Sequence, residues 1–236
     1  MVPGRPSLLN PGRFGVRLKD MPRELAIALT DSSLCACVAI TLAHQKYRLV
    51  LIQIDTGELN QSRRSALFDQ QVAHFKPYRN HTLKHDSITK PGKRDTQIVD
   101  PRAHDDLGQR LIGLLGVIAR GIEVAAHYDA TTIHLGLRVG LAGNDLARAT
   151  EHLQIWNDLV QTTCGRPNIE IVAPLLEMDP WQVVDLGTQV DAPVQSSWDC
   201  ELNQADPCGT CGGCRWRETA FARAAKADPA RQLVKN

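Results

Sequence analysis

The chain has 236 residues, 43% apolar and 22% charged, the proportions of a globular domain able to bury one continuous core. A formal net charge of +1 and only 5% aromatic residues argue against a broad basic face or a base-stacking platform, so no nucleic acid is expected as a partner. No stretch reads as the run of about 18 apolar residues a membrane span needs. The opening residues, Met1-Val2-Pro3-Gly4-Arg5-Pro6, lack the apolar segment of a secretory signal. A cytoplasmic location with reduced thiols is the resulting expectation.

Residues 1–21 hold prolines and glycines without a period and read as an extended arm ahead of a single domain spanning 22–236. Glu24 to Thr30 is a short apolar run bounded by polar residues, as a buried strand is. Asp31-Ser32-Ser33 then offers helix-capping chemistry before Leu34 to His44. Tyr47 to Ile54 predicts a second strand ending at Asp55-Thr56-Gly57, followed by a polar helix from Asn60 to His74. Pro77 to Asp106 is basic, lacks periodicity and reads as a long loop. From Leu107 the apolar positions fall on one helical face. Thr131 to Leu137 reads as a third strand, Asn144 to Thr163 as an amphipathic helix, and Ile169 to Ala173 as a fourth strand. Asp179-Pro180 opens another helix, with proline in its first turn. Arg215 to Ala227 is the last helix.

Alternating strands and helices require parallel pairing through right-handed crossovers, so the predicted fold is an α/β, doubly wound, mostly parallel sheet. Ligands in such sheets bind outside the carboxyl ends of the strands. Asp31, Asp55 and Gly136 to Arg138 fall at those ends.

The densest chemical signal is Trp198-Asp199-Cys200, seven further residues, then Cys208-Gly209-Thr210-Cys211-Gly212-Gly213-Cys214. Zinc takes four ligands in a tetrahedron, and a spacing of two residues lets a chain turn back on one ion. Cys200, Cys208, Cys211 and Cys214 are therefore read as ligands of a structural Zn2+ in a knuckle over 198–214. An iron–sulfur cluster is the rival, because Cys-x2-Cys-x2-Cys also opens a ferredoxin run, but the expected downstream cysteine with proline is missing. Cys35, Cys37 and Cys164 lie on or beside apolar helical faces and read as inert core residues.

These cysteines, followed by Arg217 and Ala220-Phe221, resemble the C-terminal signature of 7-cyano-7-deazaguanine synthases, of the PP-loop (N-type ATP pyrophosphatase) superfamily. Asp31-Ser32-Ser33 resembles the end of that superfamily's phosphate loop, and Asp55-Thr56-Gly57-Glu58 with Arg63 and Arg64 its second-strand motif. Val184-x2-Gly187 and Pro193 through Cys200 resemble the approach to the zinc, so the likeness runs over about residues 24–225. The resemblance implies a PP-loop, adenine nucleotide α-hydrolase-like fold. It also implies ATP-dependent conversion of 7-carboxy-7-deazaguanine with ammonia to the nitrile, in the queuosine pathway. Asp31, Ser32, Asp55 and Gly57 would then face the nucleotide.

The phosphate loop departs from the family pattern Ser-Gly-Gly-x-Asp-Ser. Ungapped, Ile27, Ala28 and Leu29 stand where the serine and glycines belong, which weighs against ATP with Mg2+ in the ordinary mode. Glu201 replaces the aromatic residue expected after the first cysteine. The alternative is a catalytically degenerate zinc protein that binds a 7-deazapurine or acts as a partner subunit. A protein partner or a homodimer is compatible with either reading, and no catalytic residue can be assigned.

Overall fold

The computed structural model describes residues 23–55, 57, 59–84, 107–140 and 144–232, with the backbone alone for 108–110, 231 and 232. The predicted arm over 1–21, most of the predicted loop over 77–106, and the acidic and hydroxyl residues Glu58 and Thr56 lie outside them. The described elements are strands β1 (Leu25–Thr30), β2 (Arg48–Asp55), β3 (Arg79–Lys84), β4 (Thr132–His134) and β5 (Glu170–Val172). Helices are α1 (Leu34–Lys46), α2 (Gln61–Phe75), α3 (Leu107–Tyr128), α4 (Asp145–Asp158), α5 (Pro180–Gln189), α6 (Gly212–Arg223) and α7 (Pro229–Gln232).

The strands form one sheet in the order β3-β2-β1-β4-β5, and every pairing is parallel. Chain order reverses between β1 and β4, so the switch point where such sheets open a crevice lies beside Asp31. Both faces are covered, and side chains alternate between them with the period of two a strand imposes. Ile27, Leu29, Val50, Ile52 and Ile54 join the core under α3 and α4. Ala26, Ala28, Leu49 and Leu51 face Ile40, Phe68 and Phe75 of α1 and α2. Ile27, Ala28 and Leu29 are therefore strand interior. The turn that leaves the sheet is Asp31-Ser32-Ser33, after the strand that the apolar run over Glu24–Thr30 predicts.

Three expectations change. Residues 79–84 are an edge strand, paired to β2 from Val50↔Arg79 to Asp55↔Lys84, where sequence predicted loop. Only His81 and Leu83 of that strand turn partly inward, so its apolar signal is faint, as is common at a sheet edge. Within α3, Leu111–Tyr128 is apolar and long enough to cross a membrane by length and composition, at mean hydropathy 1.4. Its Leu, Ile, Val and Ala residues outweigh Arg120 and Glu123 in that average, although Leu111, Ile118 and Ala125 are packed against the sheet. Cys164, finally, is exposed rather than buried.

Candidate metal centre and the carboxyl edge of the sheet

The last helix begins inside the cysteine segment. Cys211 is the N-cap of α6, and its Sγ accepts the N–H of Cys214 at 3.4 Å. Cys200 Sγ accepts the N–H of Cys208 and Cys208 Sγ that of Cys211, each at 3.4 Å. Donors aimed at sulfur favour thiolates, the form that binds metal. All four sulfurs lie within 4.8 Å of one another. Cys208 and Cys214 Sγ are 3.8 Å apart, and Cys200 and Cys211 Sγ 4.0 Å. A tetrahedral ion with bonds of about 2.3 Å needs sulfur–sulfur edges of about 3.8 Å. The four cysteines thus fit one metal ion, with no ligand position left open. The neighbouring Cys200 and Cys214 sulfurs, with the N–H of Cys214, lower the Cys211 pKa and favour its thiolate.

The knuckle is fastened to the α/β body on two sides and closed on itself at a third. Asn60, at the start of α2, gives its side-chain amide to the carbonyl of Cys200 at 2.7 Å. Trp198 donates its backbone N–H to Ser32 O at 2.7 Å. Gly213 lies so close to the Asp199 carbonyl that a Cβ there would overlap it. Arg217 of α6 is buried and forked. It holds Asp228 through Nε and Nη2 at 2.8 and 2.9 Å, and Asp199 through Nη1 at 2.8 Å. Burial works against the Arg217 charge, yet the two carboxylates hold its pKa above the ordinary arginine value. Burial also pushes the Asp199 carboxyl upward, while Arg217 pulls it back.

The residues assigned to nucleotide occupy turns at this same edge. Asp31 is exposed and its Oδ1 accepts the N–H of Ser33 at 2.9 Å. Asp55 does the same for Gly57 at 2.9 Å. Each carboxylate thereby closes an Asx turn at the end of its strand. Ser32 has φ 61°, a left-handed conformation that costs a residue with a Cβ about 1 kcal/mol. Three hydrogen bonds hold it there: its N–H to Thr30 Oγ1 (2.9 Å), its Oγ to Arg64 O (3.0 Å), and its carbonyl from Trp198. Ser32 is buried and its hydroxyl is spent inside the protein. Gly136, beyond β4, closes the other side of the switch point: an added Cβ would meet Ala36 N at 2.6 Å, so this strand end lies against the first turn of α1.

Sequence reasoning missed Asp199. A carboxylate beside a cysteine gives no local sign of a partner 18 residues away. Among the remaining thiols, burial pushes Cys37 up to about 12, which makes it inert. A cavity of about 40 Å³ beside Arg63, Ser197, Trp198 and Asp206 has room for water alone. Arg63 lies over the Trp198 ring, 4.8 Å from its centroid.

Comparison with known proteins bears on this arrangement directly. The family model described as queuosine biosynthesis protein QueC matches residues 118–225, which include the whole knuckle and Arg217. The 7-cyano-7-deazaguanine synthase of Chlorobium chlorochromatii is 24% identical over 215 residues, 86% of this chain and 94% of that protein. That of Methanobrevibacter smithii is 25% identical over 226 residues, 89% and 98% of the two chains. The chain is similar to these synthases along most of its length. Among solved structures, the U34-tRNA thiolase NcsA from Methanococcus maripaludis with its [4Fe-4S] cluster aligns at a TM-score of 0.45 and 12% identity. That alignment covers 85% of this chain and 65% of the thiolase.

Proposed function

We propose that the chain is a 7-deazapurine protein of the 7-cyano-7-deazaguanine synthase type, acting in the queuosine pathway on 7-carboxy-7-deazaguanine, with a structural zinc. The observation that carries this reading is the joint one: similarity to curated synthases over 86% of the chain, and four cysteines closed to the size of one tetrahedral ion. Zinc is favoured over a multi-iron cluster because the sulfurs crowd around one point, whereas a four-iron cluster places each thiolate on a different iron. Bound by Cys200, Cys208, Cys211 and Cys214, zinc would supply fixed geometry rather than a reactive ligand position. Thiols kept free for an ion suit a reducing compartment, and a cytoplasmic location is part of the proposal.

In the synthase form ATP would convert the carboxylate to an acyl adenylate with release of pyrophosphate, ammonia would displace AMP to give the amide, and a second ATP-dependent activation would remove the amide oxygen to leave the nitrile. The chain's own residues would bind and orient: Asp55 and Gly57 line one wall of the carboxyl edge and Asp31 another, while Trp198 is held between the metal knuckle and α2. Incubating metal-loaded protein with ATP, magnesium, ammonium and 7-carboxy-7-deazaguanine should yield the nitrile and AMP by mass spectrometry. Finding neither product would overturn the synthase form.

A second reading is favoured by one observation. The turn after β1 is Asp31-Ser32-Ser33, without glycine, and its buried serine already has its hydrogen-bonding groups engaged. On this reading the chain binds the deazapurine without handling ATP, as a subunit or with a diverged reaction. Calorimetric titration with ATP and magnesium separates the two: saturable binding with pyrophosphate release defeats the second reading.

A further inference from the structure

The amino edge of the sheet, away from the metal knuckle, carries a charge pattern that the net charge of the whole chain averages out. Lys46-Tyr47-Arg48 leads from α1 into β2, and Lys76-Pro77-Tyr78-Arg79 leads from α2 into β3. These strands are neighbours, with Arg79 opposite Val50, so two segments of the same lysine–tyrosine–arginine chemistry lie side by side. Arg23, just ahead of β1, extends the row to a third strand, since Leu25 pairs with Arg48. Each strand step is about 4.8 Å. All five cations are exposed, and none is ion-paired among the described residues. Acidic residues on this edge are Glu24, which accepts the Thr131 hydroxyl at 3.1 Å, and, toward β4 and β5, Asp129 and Glu170. Helix C-termini favour cations, which accounts for Lys46 and Lys76, but Arg48 and Arg79 stand on strands.

Tyr78 organises the two strand arginines. The Arg48 guanidinium lies 4.6 Å from the centre of its ring and that of Arg79 4.8 Å. Arg79 Nη1 also donates to the Tyr78 carbonyl at 3.0 Å. Tyr128 meets the Tyr78 ring edge-on at 6.4 Å, and the Tyr128 hydroxyl is fixed 2.7 Å from His81 Nε2. Tyr78 nevertheless stays 39% exposed. Guanidiniums stacked on a ring are pre-organised, so less freedom is lost when their forked N–H groups meet an oxyanion. The same cations act on their neighbours: after burial, Arg23 and His74 lower the His44 pKa.

We propose that this amino edge binds a single strand of nucleic acid, with Arg23, Arg48 and Arg79 on successive phosphates and Lys46 and Lys76 flanking them. Regularly spaced phosphates suit a row of cations that steps from strand to strand. Bases stack on guanidinium planes as well as on rings, and the Arg48–Tyr78–Arg79 stack supplies both, which an acidic peptide would not use. The proposal goes beyond the synthase-type reading and does not rest on it, because its test uses neither ATP nor a deazapurine.

The experiment is fluorescence anisotropy with the full-length, metal-loaded protein and labelled, unstructured RNA and DNA strands of about 12 nucleotides. Saturable binding is expected at about 50 mM salt, weakening roughly 50-fold by about 200 mM if four phosphates are contacted. Arg48→Gln with Arg79→Gln should weaken binding at least about tenfold and reduce the log–log salt slope by about 1.4. Arg120→Gln with Arg215→Gln removes the same charge from exposed positions elsewhere and should change neither. Both pairs should keep their metal and the wild-type Tm. A preference for RNA or for DNA tells which strand the edge takes, and either supports the proposal. It is overturned if neither strand binds saturably, or if the control pair loses as much as the edge pair. It is equally overturned if polyglutamate or phosphatidylglycerol vesicles bind more tightly than both strands.

Discussion

Trp198 gives its backbone N–H to the carbonyl of Ser32 across 2.7 Å, so the approach to the four cysteines is bonded to the turn that ends β1. Beside it, Thr30 Oγ1 donates to Gln71 Oε1 at 3.3 Å, and Gln71 Nε2 donates to Ser196 O at 2.7 Å. Gln71 is fully buried, where an unpaired amide would cost about 1–3 kcal/mol. The carboxyl edge of the sheet is thereby held by the segment that carries the metal ligands. Disturbing either should be felt by the other.

Replacing one ligand, as in Cys208→Ser or Cys214→Ser, leaves three sulfurs and opens the tetrahedron. Both variants should lose the metal and melt lower by roughly 10 °C, at about 2–4 °C per kcal/mol for a domain of this size. Metal analysis and thermal unfolding read the two effects together. Cys164→Ser, at an exposed position, is the control and should change neither.

Gly213→Ala removes no ligand but places a methyl group inside the Asp199 carbonyl. It should destabilise by about 2–4 kcal/mol and weaken metal retention, as overpacking against backbone does. Gly113→Ala on α3 has nothing within 4 Å of the new methyl. That change should stabilise by about 0.5–1 kcal/mol, the helix-propensity difference. Urea unfolding of the pair gives opposite signs if the packing is as described.

Arg217→Ala would strand Asp199 and Asp228, whose side chains are 9% and 6% exposed, without their partner. Breaking a buried pair from one side costs about 3–5 kcal/mol. Arg217→Lys should recover only part of this, because an ammonium cannot fork to both carboxylates. Chemical denaturation of both variants measures the gap.

His134 is buried on β4 with neither ring nitrogen hydrogen-bonded, and burial lowers its pKa to about 4. The folded chain therefore takes up this proton less readily than the unfolded chain, whose histidines titrate near 6.5. Stability should fall as pH drops from about 6.5 to about 4, by roughly 3 kcal/mol from this residue. His44 and His152, also lowered by burial, act in the same sense. His134→Gln should flatten that acid limb in pH-dependent unfolding, and an unchanged limb would remove the assignment.

Much of this was legible in the chain because the signals are local. The strand at Leu25–Thr30 and the helix from Leu34 follow from an apolar run and a capping serine, and the structure shows Ser33 doing the capping. The cysteine spacing is likewise contained within a short segment. Strand β3 was hidden because its residues are mostly polar and its pairing partner, β2, supplies the order. Residues 27–29 belong to the apolar run that reads as a buried strand, and the structure sets Ile27 and Leu29 on one face of it and Ala26 and Ala28 on the other. Asp199 and Arg217 meet only once α6 packs against α1 and α5, and no local period announces such a pair.

The most direct test of the account is the metal content of the purified chain. One zinc per chain, without acid-labile sulfide, is the predicted result, and its removal by chelator should loosen the Ser32–Leu34 turn in hydrogen exchange. Iron with sulfide, or no bound metal in a chain whose turn stays protected, would contradict it.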